Sequence, residues 1–409
     1  MDIFAKYALV AGRHSKVVQT GADPFGVCIN EILSPTRGRI NGRDTILVGT
    51  NNYLGLTFDP ACVEAAVDAI REHGTGTTGS RIANGTYAIH RELEREIAQF
   101  MNRRGALVFP TGYQANLGML AGLAGPRDII LMDADSHSSI YDGCKLSGAT
   151  VVRFRHNDPD DLDRRLSRLA DQGECKLVVV EGIYSMLGDQ APLAELAEVK
   201  QRHGAYLLVD EAHSVGVLGA RGRGAAEAQA VEQKVDFVAG TFSKSLGSVG
   251  GFVASDHPKF DVLRFCCRQY MFTASSCPSS IASVRAAFRR IREQPELRER
   301  LWANASALYE GLVGLGFEVC SARSPIIAVR LPDEQTAFWA WHRLLEHGVY
   351  VNLALPPGTP NGVCLLRCSV SAAHTPEEIE EVCRRFGRVA AELNGTGPEQ
   401  GARRARVSA

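Results

Sequence analysis

The sequence predicts an α/β fold: a large domain built on a doubly wound, mostly parallel sheet, followed by a smaller α+β domain. Three observations carry this expectation. Short apolar runs rich in Val, Ile and Leu alternate with helical stretches from GALVF at 105 to DFVAG at 236. Several of these runs are apolar on both faces, as strands covered by helices on either side must be. Chemically loaded residues follow the runs directly, and the carboxyl ends of strands are where open α/β sheets bind ligands. A chain of 409 residues also exceeds the usual size of one simple domain.

The elements follow in order. Residues 1–50 read as an N-terminal arm with a hairpin at Asn41-Gly42. The large domain is expected over 51–285. Its glycine string GTGTTGSR at 74–81 follows a helical stretch, VEAAVDAIREH, and not a strand, so the dinucleotide-binding reading fails. A turn close to substrate or a subunit contact is expected there instead. Strands are then expected at GALVF, DIILMD, TVVRF, KLVVVE, AYLLVD and DFVAG. Near residue 285 the pattern changes. SIASVRAAFRRIREQPELRERLWANASALYEGLVGLG reads as one long helix, then SPIIAVRL and GVCLLRCSV as short strands, with a last helix from Thr375. This gives an α+β domain over 286–393. The tail 394–409, NGTGPEQGARRARVSA, is expected to be disordered.

Composition excludes several classes. Lys and Arg number 45 against 46 Asp and Glu, which gives no electrostatic case for nucleic acid. No apolar run approaches the roughly 18–20 residues of a membrane span, and the start lacks a signal-peptide pattern. The eleven cysteines include no C-x-x-C pair, so reduced, buried thiols in a cytoplasmic protein are expected, and no metal site.

The chemistry sits at the strand ends. In GTFSKS, Lys244 follows a buried strand and is flanked by Thr241 and Ser243. Burial lowers a lysine pKa, and a neutral amine is what imine chemistry needs. Alone, the string reads equally well as a surface lysine on a turn. In DEAHSVG, Asp210 ends a strand and His213 lies three residues on. A carboxylate so placed keeps a pyridine nitrogen protonated and makes the ring an electron sink. The alternative is an N-cap Asp beside a core histidine. His137, in DADSHSSIYDG, is either a ring stacked on a cofactor or one more polar loop residue. PTGYQAN brings Gly112, Tyr113 and Asn116 to a loop entering a helix, where free N–H groups suit a phosphate.

Taken together, GTNNYLGL, GTGTTGSR, FPTGYQAN, DSHSSIYDG, EGIYSMLGD, DEAHSVGVLG, GTFSKSLGSVGG, FTAS and LLRCSV resemble the α-oxoamine synthases, a family of fold-type I pyridoxal 5'-phosphate (PLP) enzymes. The resemblance runs in order from about residue 20 to 390. DPFGVCINEILSP, VRFRHND and MFTAS are most similar to the bacterial members that use serine.

That resemblance implies a seven-stranded sheet between helices and an acyltransferase that condenses L-serine with palmitoyl-CoA in sphingolipid synthesis. It implies Lys244 as the Schiff-base lysine, Asp210 on the pyridinium nitrogen, His213 on the ring hydroxyl and His137 stacked on the ring. Gly112, Tyr113, Thr241 and Ser243 would bind the phosphate, with Thr273 from a partner subunit of a homodimer. Ser185 would lie near the ring, and Asn51 and Arg367 would face the amino-acid carboxylate. Glycine or alanine as the amino acid, or an acyl-carrier-protein thioester as donor, stays open, as does peripheral membrane contact through a lipid product. One departure stands out. In NLALPPGTP, Leu355 occupies the position before Pro-Pro where the serine-using relatives carry arginine.

Overall fold

The computed structural model describes residues 2–18 and 22–405. Near its start, β1 (Glu31–Ser34), β2 (Arg37–Ile40) and β3 (Arg43–Leu47) run antiparallel. The β2–β3 turn is the expected one. Ile40 pairs with Arg43, and Asn41 and Gly42 both take positive φ, 50° and 75°. That is the two-residue turn whose twist matches the flanking strands.

The main sheet uses β4 (Gly105–Phe109), β5 (Ile129–Asp133), β6 (Thr150–Phe154), β7 (Lys176–Glu181), β8 (Tyr206–Asp210), β9 (Phe237–Thr241) and β10 (Gly251–Ser255). Their order across the sheet is β4-β10-β9-β8-β7-β5-β6, and only β10 runs against its neighbours. Alternate residues feed two separate cores. Leu107, Phe109, Ile130, Met132, Val179 and Leu208 face one layer, while Ala106, Val108, Leu131, Val178, Val180 and Val209 face the other. Both faces are covered, which is why the strands read as continuous apolar runs. The chain order reverses between β5 and β7, the kind of switch point where such sheets open a crevice.

A second sheet holds β11 (Ile326–Leu331), β13 (Asn352–Ala354) and β14 (Cys364–Ser369), all antiparallel, and packs on a core around Trp341 and Phe386. Between them β12 (Val349–Tyr350) pairs in parallel with β3, so the N-terminal arm is stitched to the C-terminal part of the chain.

Four expectations need correction. The long helix after 280 is two, Pro278–Glu293 and Glu296–Gly314. Pro295 stands at the break, where it has no N–H to give an uninterrupted helix. The boundary at 285 falls inside the first of these. Phe288 and Ile291 are buried in the main core, with the Phe288 ring 4.9 Å from that of Phe100. The final helix runs from Pro376 to Ala405, past the expected stop at 394. Residues 406–409 lie outside the described residues. Of the cysteines, all free, Cys28, Cys175 and Cys266 are exposed and not buried as expected.

Candidate active site

A cavity of about 240 Å3 opens where β8 and β9 end and the helix Gly112–Leu123 begins. Lys244 lines it, on the turn that leaves β9. This side chain is half-buried, and it lines the cavity. Burial pushes its amine down to about 8, against the charges of Asp210 and Glu181, which raise it. This is not the lysine of a surface turn.

Asp210 ends β8 and is buried. Asn116 donates to its Oδ2 at 2.7 Å and the Ala212 N–H to its Oδ1 at 2.9 Å. His213 is also buried, with Nδ1 2.8 Å from the Tyr53 hydroxyl. Burial, then the charges of Lys244 and Arg367, keep its ring well below the usual histidine range, hence neutral. His137 caps the helix Ser138–Ser147. Its Nδ1 accepts from the Ser139 N–H at 3.2 Å, which puts the neutral ring's proton on Nε2. Burial holds this ring below its ordinary pKa too. Its backbone N–H donates to the Glu181 carboxyl group.

The opposite wall suits a phosphate. Gly112 and Tyr113 are the first residues of their helix, whose leading N–H groups lack an intrahelical acceptor. Thr111 caps the helix by accepting from the Gln114 N–H at 3.0 Å. Thr241 and Ser243 hydroxyls lie 2.9 Å apart on the facing turn. A Cβ on Gly112 would come within 2.8 Å of the Thr241 side chain, so only glycine lets the helix end and the hydroxyls converge. The cradle, the buried amine and the buried carboxylate together fit a phosphorylated pyridine aldehyde.

Asn51 and Arg367 meet beside this cavity although they are 316 residues apart. Arg367 gives NH1 and NH2 to Asn51 Oδ1 at 3.2 and 3.3 Å, and Nε to the Ser185 carbonyl at 2.6 Å. The Tyr53 hydroxyl, 3.3 Å from Asn51 Oδ1 and 2.8 Å from His213, ties this pair to the first group. Ser185 lines not the first cavity but an adjoining one of about 350 Å3, with His137 on the wall of both. Thr273 lines neither; its hydroxyl accepts from Gln114 Nε2 of the same chain at 3.2 Å.

The structure thus gathers Lys244, Asp210, His213, His137, Gly112, Tyr113, Thr241 and Ser243 around one cavity and sets Ser185, Asn51, Arg367 and Thr273 next to it. Sequence reasoning missed Glu181, Tyr53 and Ser139. Glu181 carried a usable signal, since it ends an apolar strand as Asp210 does. Asn116, expected near a phosphate, holds Asp210 instead. The glycine string docks on the segment bearing Thr273: Ser80 bridges Ala274, and Thr77 and Ser275 hydroxyls lie 2.6 Å apart.

Known proteins share this architecture. The family model for aminotransferases of class I and II matches residues 43–386. The chain is 56% identical to a serine palmitoyltransferase of Caulobacter vibrioides, over 98% of this chain and 100% of that one. It is 50% identical to that of Sphingomonas paucimobilis, over 94% and 92%. The chain is an α-oxoamine synthase of the class I and II aminotransferase family. A solved serine palmitoyltransferase structure carrying its PLP internal aldimine superposes on this α-oxoamine synthase with a TM-score of 0.94 at 49% identity, covering 96% of this chain and 100% of the other. The fold is therefore the fold-type I arrangement, with its seven-stranded sheet and smaller C-terminal unit. In this synthase Leu355 packs, partly buried, on the apolar core of the second sheet.

Proposed function

We propose that this α-oxoamine synthase joins L-serine to palmitoyl-CoA with loss of carbon dioxide, giving 3-ketodihydrosphingosine and CoA, as a cytoplasmic homodimer. The observation that carries the reading is the junction of two half-sites. Half-buried Lys244 and buried Asp210 share one cavity with His213, which Tyr53 joins to an Arg367–Asn51 pair able to take a carboxylate, and a second cavity adjoins them.

PLP, held on Lys244, supplies an electron sink for the pair left on the amino acid's Cα. Gly112, Tyr113, Thr241 and Ser243 hold its phosphate. Asp210, fixed by Asn116 and the Ala212 N–H, would hold the pyridine nitrogen protonated, and neutral His213 and His137 would help hold the ring. Arg367 takes the substrate carboxylate as a charge-assisted, bidentate partner. That contact would orient the amino acid's Cα. Lys244, with an amine near pKa 8, takes the Cα proton and returns one after carbon dioxide leaves. The second cavity, bounded by Ser185, Met186, Leu187 and Pro357–Pro360, receives the acyl thioester. Thr273 completes the neighbouring subunit's phosphate cradle. Among the described residues no helix is long and apolar enough to cross a membrane.

Leu355 supports a second reading, the same condensation on glycine or alanine, because it removes a cation from the carboxylate's surroundings. An acyl-carrier-protein thioester is the corresponding alternative donor. The test pairs serine, glycine and alanine each with palmitoyl-CoA and palmitoyl-carrier protein and reads product masses. Serine with palmitoyl-CoA is expected to give 3-ketodihydrosphingosine as the main product. Aminoketones from glycine or alanine alone would overturn the choice of serine, and turnover only on the carrier protein would overturn the choice of donor.

A further inference from the structure

One half-buried ring on the wall of the second cavity is given no role in this chemistry, yet it ties three strand ends together. β5 ends on the fully buried Asp133, β6 leads to His156 and Asn157, and β7 leads into the turn that carries Ser185 and Asp189. Nδ1 of His156 lies 2.8 Å from Asp133 Oδ1, and Nε2 lies 2.7 Å from Asp189 Oδ2. Each ring nitrogen faces a carboxylate oxygen, so both donate, and the ring is an imidazolium. Burial works against that charge, but the two hydrogen bonds and the two carboxylates outweigh it and raise the ring to about 10.

Asn157 doubles the tie. Its backbone N–H donates to Asp133 Oδ2 at 2.9 Å and its Nδ2 to Asp189 Oδ2 at 2.7 Å. The other ionisable groups against His156 are Asp135, 3.9 Å from Nδ1, and the edge-on Tyr184, its ring centroid 4.4 Å away. The ring is therefore the cation that lets Asp133 and Asp189 lie close. At the far end of the same turn, the Ser185 carbonyl seats Arg367 Nε at 2.6 Å.

We propose that His156 is a positioning residue: by bridging Asp133 and Asp189 it sets the Ser185 carbonyl, and so the plane in which Arg367 offers its guanidinium to the amino-acid carboxylate. This rests on the reading of Arg367 given above. Gln at 156 is uncharged and has one donor nitrogen where the ring has two set apart, so the two carboxylates then repel each other and let the turn shift. An arginine fork tolerates little rotation before one of its two hydrogen bonds is lost.

The test titrates serine into the PLP-loaded holoenzyme and follows cofactor absorbance, for wild type, His156→Gln, Arg367→Lys and the double variant. His156→Gln is expected to keep its cofactor while the serine Kd rises roughly tenfold, the order set by one misaligned charge-assisted contact. In the Arg367→Lys background the same change is expected to have almost no further effect. Full additivity would place the ring's action elsewhere and overturn the proposal. An unchanged Kd in His156→Gln beside a weakened Arg367→Lys overturns it alone. An unchanged Kd in Arg367→Lys overturns the carboxylate reading and this one with it. Should His156→Gln lose its cofactor, Asp189→Asn loosens the same tie from the turn side. It must raise the serine Kd, and an unmoved serine Kd there overturns the proposal as well.

Discussion

The cofactor half of the site and the carboxylate half are built in opposite ways. The first collects residues at the carboxyl ends of strands of one sheet: Asp210 closing β8, Lys244 shortly after β9, with Gly112 opening the helix after β4. Each is held by partners close by, as Asp210 is by Asn116 and Ala212. The second half joins Asn51, just past β3, to Arg367 on β14 of a different sheet, and the contact exists only because the chain's two ends pack together. Chemistry common to many substrates thus rests on the rigid sheet. Substrate choice rests on a junction that shifts when either end shifts, and changes in the two halves should separate cleanly.

The largest effect is expected on the cofactor side. Lys244→Ala should abolish turnover, and borohydride reduction of the wild type followed by peptide mapping should place the modified lysine at 244. Label on another lysine would break the assignment of the whole first half. His137→Ala comes next. It should retain PLP, judged by absorbance, while condensation slows by about a hundredfold, the scale of a lost orientation. A wild-type rate would reduce His137 to a helix cap.

On the carboxylate side the effects should be smaller and confined to the amino acid. Arg367→Lys is expected to weaken serine binding by about tenfold or more at unchanged PLP content, since lysine cannot reproduce the paired contact. Leu355→Arg should tighten amino-acid binding a few-fold, or shift preference towards serine, by restoring a second cation near the carboxylate. If either variant loses PLP instead, the two halves are not separable as argued.

The smallest effect is a stability slope. The folded-state pKa of Lys244, about 8, lies below its ordinary 10.5 because burial disfavours the charge. Between these values the unfolded chain binds the extra proton, so the cofactor-free protein should gain stability as pH rises from about 8 to 10.5. Denaturant unfolding of wild type and Lys244→Met across that range should give a steeper rise for wild type. Equal slopes would mean that the amine is solvated in the folded state.

The sequence by itself determined six of the main sheet's seven strands, all but β10, and the Asn41-Gly42 turn and the residues at the strand ends, because these depend on local periodicity and on side chains within a few positions. It therefore made most of the cofactor half legible, and ordered motifs carried the family. Glu181 was within reach of the same rule and was passed over. Tertiary structure decided the rest. Nothing near Pro295 in the sequence shows that Phe288 belongs to the main core and not to the smaller domain. No local pattern pairs Asn51 with Arg367, places Tyr53 between Asn51 and His213, or sets His156 between Asp133 and Asp189. These contacts span tens to hundreds of residues, and their geometry is fixed by how sheets and chain ends pack, which no short window of sequence encodes.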